Sequence, residues 1–135
     1  MKELEELNLP EDLRYAEDHE WAKSENDRIR IGISDYAQDQ LGDIVFVELP
    51  RAGDSFERGA QFGTVESVKT VAELYIPMGG EILAVNKGLE ESPELVNKDP
   101  YGKGWMIEVK PGDPAELNLL MARDSYFRML KEQKK

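Results

Sequence analysis

Short apolar runs, each closed by turn-forming residues, recur through the middle of the chain. They centre near residues 29, 44, 62, 71, 81 and 105, and Ala52-Gly53-Asp54, Arg58-Gly59, Met78-Gly79-Gly80 and Lys87-Gly88 interrupt them with glycines. Many short strands with regular turn signals predict a mainly β domain, either a sandwich or a flattened barrel. Gly42-Asp43-Ile44-Val45-Phe46-Val47 and Gly80-Glu81-Ile82-Leu83-Ala84-Val85 share one pattern 38 residues apart. Each is followed by a further strand, Phe62 to Val68 or Trp105 to Val109, which suggests a pseudo-symmetric pair of sheets.

Thr64 to Ile76 reads two ways. Val65, Val68, Ala72 and Ile76 fall at helical spacing, and Lys69 with Glu73 would make an i,i+4 pair. Against a helix, Thr64, Val65, Val68, Thr70, Val71 and Ile76 are β-branched, stiff at χ1, and favour extended chain. Strand is the expectation. Unbroken, it would run about twice the usual ~5 to 6 residues, so a bend at Lys69 is expected, although no Asn-Gly or Asp-Gly marks it. A lysine at such a bend projects into solvent, where another enzyme can reach and acylate it. The plain alternative is a surface lysine without a role.

Helices are expected at two places. Ser34 can cap a helix over Asp35 to Leu41 that Gly42 ends, with Tyr36, Ala37 and Gln40 or Leu41 packing on the sheet. Near the C-terminus Asp113 can cap a helix with Pro114 at its first position and Glu116 at N3. Leu117, Leu120 and Met121 give that helix an apolar face, and Tyr126, Phe127, Met129 and Leu130 continue it. Residues 113–131 therefore predict one or two helices outside the sandwich, with Lys131 to Lys135 frayed. Residues 1–12 read as a loose charged arm broken by Pro10, and Glu90 to Lys103 as a loop. Trp21 reads as a cover for the edge of the core, and His19 as a hydrogen-bonded structural residue.

At 135 residues the chain fits one domain, 1–135, with its own core. With 17 basic and 28 acidic residues its formal charge is -11. That balance argues against nucleic acid and anionic membranes, which need a basic footprint, and allows steering toward basic partner surfaces. No apolar run approaches the ~20 residues of a membrane span. The N-terminus is acidic where a secretory or transit segment would be basic, so a cytoplasmic location is expected. There is no cysteine and one histidine, which leaves no thiol nucleophile and makes a protein-only transition-metal site improbable. No nucleophile with a base, phosphate loop or metal spacing is present, so no catalysis is expected, and redox chemistry would have to arrive on an attached group.

Glu66-Ser67-Val68-Lys69-Thr70-Val71, followed by Pro77 and Gly80, resembles the lipoylation segment of the glycine cleavage system H proteins. The likeness continues through His19-Glu20-Trp21, Gly32 to Gln38, Leu41 to Pro50, Pro93 to Asn97 and Pro100 to Trp105, nearly the whole chain in order. It implies a lipoyl-domain-like barrel-sandwich hybrid. It also implies lipoate joined by an amide to Lys69, with Glu66, Ser67, Val68 and Thr70 as the flanks of the modified lysine. Gly80, eleven residues on, matches the glycine that shapes the modification hairpin. Met78-Gly79 departs from the small or β-branched pair usual there.

The implied role is a carrier. It would shuttle an aminomethyl group from the glycine decarboxylase (P-protein) to the aminomethyltransferase (T-protein), then be reoxidised by dihydrolipoyl dehydrogenase (L-protein). A lipoate ligase or lipoyl transferase would load it, and a monomer is expected. Glu20, Glu73 and Asp18 are candidates to receive the loaded arm, with plain surface charge as the alternative for each. A biotin carrier would flank its lysine with methionines, where Val68 and Thr70 stand here. A 2-oxoacid dehydrogenase lipoyl domain would carry Asp-Lys-Ala. An H-like carrier serving lipoate relay or sulfur metabolism would share the same motifs, so that alternative stays open.

Overall fold

A computed structural model describes residues 2–133. Its strands form two antiparallel sheets. One has six strands in the order β1 (Arg14–Tyr15), β2 (Glu20–Glu25), β3 (Arg28–Ile33), β9 (Ile107–Pro111), β8 (Gly80–Val85) and β5 (Ser55–Phe56). The other has three, β4 (Ile44–Glu48), β6 (Gln61–Ser67) and β7 (Val71–Tyr75). Alternation decides the faces: Ile29, Ile31 and Ile33 of β3 turn inward to meet Val47, Val65, Leu74, Ile82 and Val109. Arg28 and Arg30 turn outward and both bond the Glu108 carboxylate, at 3.0 and 2.9 Å. This is the barrel-sandwich fold expected from the sequence.

The internal repeat is real in three dimensions. β4 pairs with β6 and β8 with β9, both antiparallel, and each first strand carries a bulge at the same place, Ile44/Phe46 in one copy and Ile82/Ala84 in the other. The copies lie in different sheets, and Lys69 falls between them in sequence.

Helix α1 (Asp35–Leu41) has the expected ends, with Ser34 accepting from Ala37 N–H and Gly42 closing the last turn. Its buried residues, however, are Asp35 and Gln38, while Tyr36, Ala37 and Leu41 are only partly covered. Asp35 is held by Lys2 at 2.8 Å and Gln38 at 2.7 Å, which makes its burial tolerable.

Three sequence expectations need correction. Glu90 to Lys103 is not a plain loop. It contains the second half of α2 (Gly88–Glu91) and all of α3 (Leu95–Lys98), one-turn helices anchored by buried Leu89 and Val96. The segment before Asp12 is not a loose arm either, because Leu7 and Leu9 are buried in a second cluster with Leu13, Tyr15, Trp21, Tyr126 and Leu130. Third, residues 114–119 form a 3-10 helix capped by Asp113, and Glu116 accepts from Gly79 N–H at 3.0 Å instead of completing a capping box.

The second cluster sits under α4 (Arg123–Gln133), where Tyr126 stacks on Tyr15 with ring centroids 4.6 Å apart. The Tyr126 hydroxyl also meets His19 Nδ1 at 2.8 Å and Ser34 Oγ at 2.7 Å, so His19 has the structural role expected of it. Trp21 is fully buried within this cluster and donates to the Pro100 carbonyl, so it does more than cover an edge. Met1, Lys134 and Lys135, part of the expected arm and frayed end, lie outside the described residues.

Candidate functional site

β6 ends at Ser67 and β7 begins at Val71, so Val68, Lys69 and Thr70 make the connecting turn and the helical reading fails. The turn works without glycine. Positive φ among non-glycine residues occurs only at His19 and Asn26 of those described, so Val68 and Lys69 keep ordinary backbone angles. Ser67 N–H donates to the Thr70 carbonyl at 2.8 Å. The Ser67 hydroxyl accepts from Thr70 N–H at 3.1 Å and from Lys69 N–H at 3.3 Å, and it donates to the Thr70 carbonyl at 3.3 Å. One buried hydroxyl thus uses its donor and both its lone pairs to pin the turn.

A second segment braces the turn from below. Val68 N–H donates to the Asp43 carbonyl at 3.0 Å. Asp43 in turn sits between two groups held by Asn97, whose Nδ2 donates to the Gly42 carbonyl at 2.8 Å and whose Oδ1 accepts from Ile44 N–H at 2.9 Å. Gly42 itself has φ +80°, and a Cβ there would lie 3.5 Å from Lys69 Cε and 3.9 Å from Nζ. The lysine stem therefore lies along bare glycine backbone. Lys69 is exposed, and its Nζ has no hydrogen-bond or salt-bridge partner among the described residues.

Beside this turn a cavity of about 290 Å³ runs between α1 and β7, with Leu41, Ala72, Glu73, Glu20 and Asp18 among its walls. Glu20, the first residue of β2, is 2% exposed. Its Oε2 accepts from Tyr75 N–H at 3.3 Å, while Oε1 is buried without a partner among the described residues. Burial pushes the Glu20 carboxyl up to about 8, against the pull of the Tyr75 N–H. Neighbouring Asp18 adds to the rise. Glu73 is exposed and accepts from the Tyr75 hydroxyl. Glu20 also lines a second cavity, of about 260 Å³, which Arg58 and Ile76 share. Among the described residues no cluster of His, Cys, Asp and Glu could hold a metal, and no helix is long and apolar enough to cross a membrane.

Residues 13–133 match the family model described as glycine cleavage H-protein. The chain belongs to that family. The glycine cleavage system H protein of Bacillus licheniformis is 55% identical over 126 residues, 93% of this chain and 99% of that one. The protein of the same name from Bacteroides thetaiotaomicron is 52% identical over 120 residues, 89% of this chain and 95% of its own length. Among solved structures, a glycine cleavage system H protein from Mycobacterium marinum superposes with a TM-score of 0.84 at 36% identity, covering 90% of this chain and 98% of that one. Membership bears out the resemblance carried by the residues around Lys69.

Within this H-protein-family fold, the residues singled out from the sequence divide into three groups. Glu66, Ser67, Val68, Lys69 and Thr70 are together on the hairpin. Asp18, Glu20 and Glu73 are together in the neighbouring cleft, and Glu20 is no surface charge. Gly80 joins neither group. It opens β8 in the other sheet, where a Cβ would come within 2.2 Å of the Lys110 carbonyl, so its absent side chain serves the approach of β9 and not the hairpin. Sequence reasoning gave Gly42 only the end of α1, and gave Asp43 and Asn97 no role at the hairpin. The latter's place in the Pro93 to Asn97 run was the available signal, but its partners lie 53 and 55 residues away.

Proposed function

We propose that this chain is the lipoyl carrier of a glycine cleavage system, with lipoate held by an amide bond to Lys69. The observation that carries the reading is an exposed amine on a pinned turn, beside a cleft lined by Glu20, whose buried carboxyl has one oxygen without a partner among the described residues. These residues fit the group. Among the described residues Lys69 Nζ has no competing partner, and the buried Glu20 Oε1 has no hydrogen-bond partner. When attached, lipoate supplies a reversible dithiol-disulfide couple that this cysteine-free chain lacks.

The chain's own residues then have distinct tasks. Ser67 fixes the origin of the arm. Glu73 and Asp18 at the cleft offer negative charge to a cationic amine, and Glu20, whose carboxyl burial keeps protonated up to about pH 8, supplies an enclosed polar group that holds it away from bulk water. Glu66, Val68 and Thr70 belong to the context that the acylating enzyme reads.

In this role the protein performs no catalysis itself. As a cytoplasmic monomer, the domain spanning 1–135 takes an aminomethyl group from the P-protein to the T-protein, and the L-protein reoxidises it. Tethering raises the local concentration of the carried group at each docked enzyme. The test is reconstitution: lipoylated protein mixed with P-protein supports glycine-dependent carbon dioxide exchange, and Lys69→Arg does not. A lipoylated protein that fails to support exchange points to lipoate relay or sulfur metabolism and refutes the shuttle assignment.

A further inference from the structure

Five large apolar side chains stand exposed among the described residues, and four of them, Val45, Phe46, Val68 and Val71, belong to the three-stranded sheet and its Lys69 turn. Phe46 is 53% exposed, Val68 70% and Val71 60%. Phe46 pairs with Glu66 and Glu66 with Val71, so these three side chains form one row across the outer face. With strands ~4.8 Å apart the row spans about 10 Å. Val45 is the bulge residue beside it, and Val68 directly precedes Lys69.

Strand propensity alone does not account for this placement. Solvent-side positions of the six-stranded sheet carry Lys23, Arg28, Arg30, Glu81 and Lys110, the ordinary solution for an outer face. The Lys69 sheet instead combines apolar residues with exposed carboxylates, Asp43, Glu48, Glu66 and Glu73. From Ile44 to Glu48 and along β6, the turn and β7, Lys69 is the only basic residue.

We infer that this face, Phe46, Val71, Val45 and Val68 within a carboxylate rim, is the docking surface for the enzyme that acylates Lys69, and that the enzyme meets it with an apolar centre ringed by cationic groups. The inference rests on the reading of Lys69 as the acylated residue. Downstream enzymes need reach only the tip of a loaded arm. The acylating enzyme must reach Nζ itself, and so must press against the surface around it. In that step the neutral Nζ attacks the carbonyl carbon of an acyl-adenylate; the amide C–N bond forms, the C–O bond to AMP breaks, AMP leaves and the amine proton passes to a base. Apolar contact supplies affinity, and the carboxylate rim supplies orientation and a salt-dependent association rate.

The test uses the full-length unmodified protein, a lipoate-protein ligase, ATP and lipoate, with acylation followed by intact mass. Phe46→Ser combined with Val71→Thr is expected to raise KM for the carrier by about tenfold or more with kcat nearly unchanged, a loss typical of removing apolar anchors. Glu48→Lys raises KM and flattens its salt dependence. Leu119→Ser, which alters the fifth exposed apolar residue, well away from the hairpin in sequence, changes neither constant. As a second measurement, unacylatable Lys69→Arg protein inhibits the reaction competitively, and adding the Phe46 and Val71 changes to it weakens that inhibition. Unchanged KM and unchanged inhibition, with wild-type protein acylated normally, overturn the docking surface alone. Wild-type protein that gains no acyl mass, or a gain that survives Lys69→Arg, overturns the reading of Lys69 and this inference with it.

Discussion

Replacing Glu20 by Gln isolates the most strongly perturbed carboxyl in the cleft. In the folded chain its proton is held up to about pH 8, because burial disfavours the anion. In the unfolded chain it leaves near 4.5, the ordinary value. Between those two values the folded state binds more protons than the unfolded state, so stability from this group is fully present below about 4.5 and is lost as pH rises toward 8. The shift corresponds to a loss on the order of 5 kcal/mol, approached at about 1.4 kcal/mol per pH unit. Glutamine keeps an acceptor for Tyr75 N–H but has no proton to lose, so its stability curve lacks that slope.

Urea unfolding at pH 5, 7 and 9 reads the difference directly, since every other titrating group is common to both proteins. Wild type and Glu20→Gln are expected to be within about 1 kcal/mol of each other at pH 5. At pH 9 the variant is expected to be the more stable by several kcal/mol. Parallel curves from pH 5 to 9 would refute the argument, for they would mean that Glu20 ionises freely in the fold.

Two substitutions test the bracing of the turn. Ser67→Ala removes three hydrogen bonds at once and leaves the Lys69 and Thr70 amides without their acceptor; the expected cost is about 1 to 3 kcal/mol, with faster amide exchange at both residues by NMR. Asn97→Ala is expected to cost a similar ~1 to 3 kcal/mol, and to speed exchange of Val68 N–H through the loosened Asp43 carbonyl while leaving the Tyr15-Tyr126 stack intact.

What the sequence revealed and what it hid follow from the range of the interactions. β-branched residues on both sides of Lys69 act locally, and they placed two strands and a bend correctly. Ser34 and Gly42 likewise bounded α1, because capping is a matter of three or four neighbouring residues. The bend carried no glycine signature because a side-chain hydroxyl replaces the usual backbone solution, and a serine is too common a residue to announce that. The burial of Leu7 and Leu9 depends on a helix more than a hundred residues later, and the bracing by Asn97 on partners in a different element. Glu20 looked like one acidic residue among many; only packing showed it to be enclosed. Gly80 was tied to the hairpin by the family resemblance, whereas register puts it against β9.

Peptide mass mapping of natively expressed protein decides whether Lys69 is the attachment point. The mass increment of one lipoyl amide is expected on the peptide containing Lys69, and its loss in Lys69→Arg. An unmodified Lys69 in cells that lipoylate other proteins, or a lipoyl group on a different lysine, would contradict that assignment.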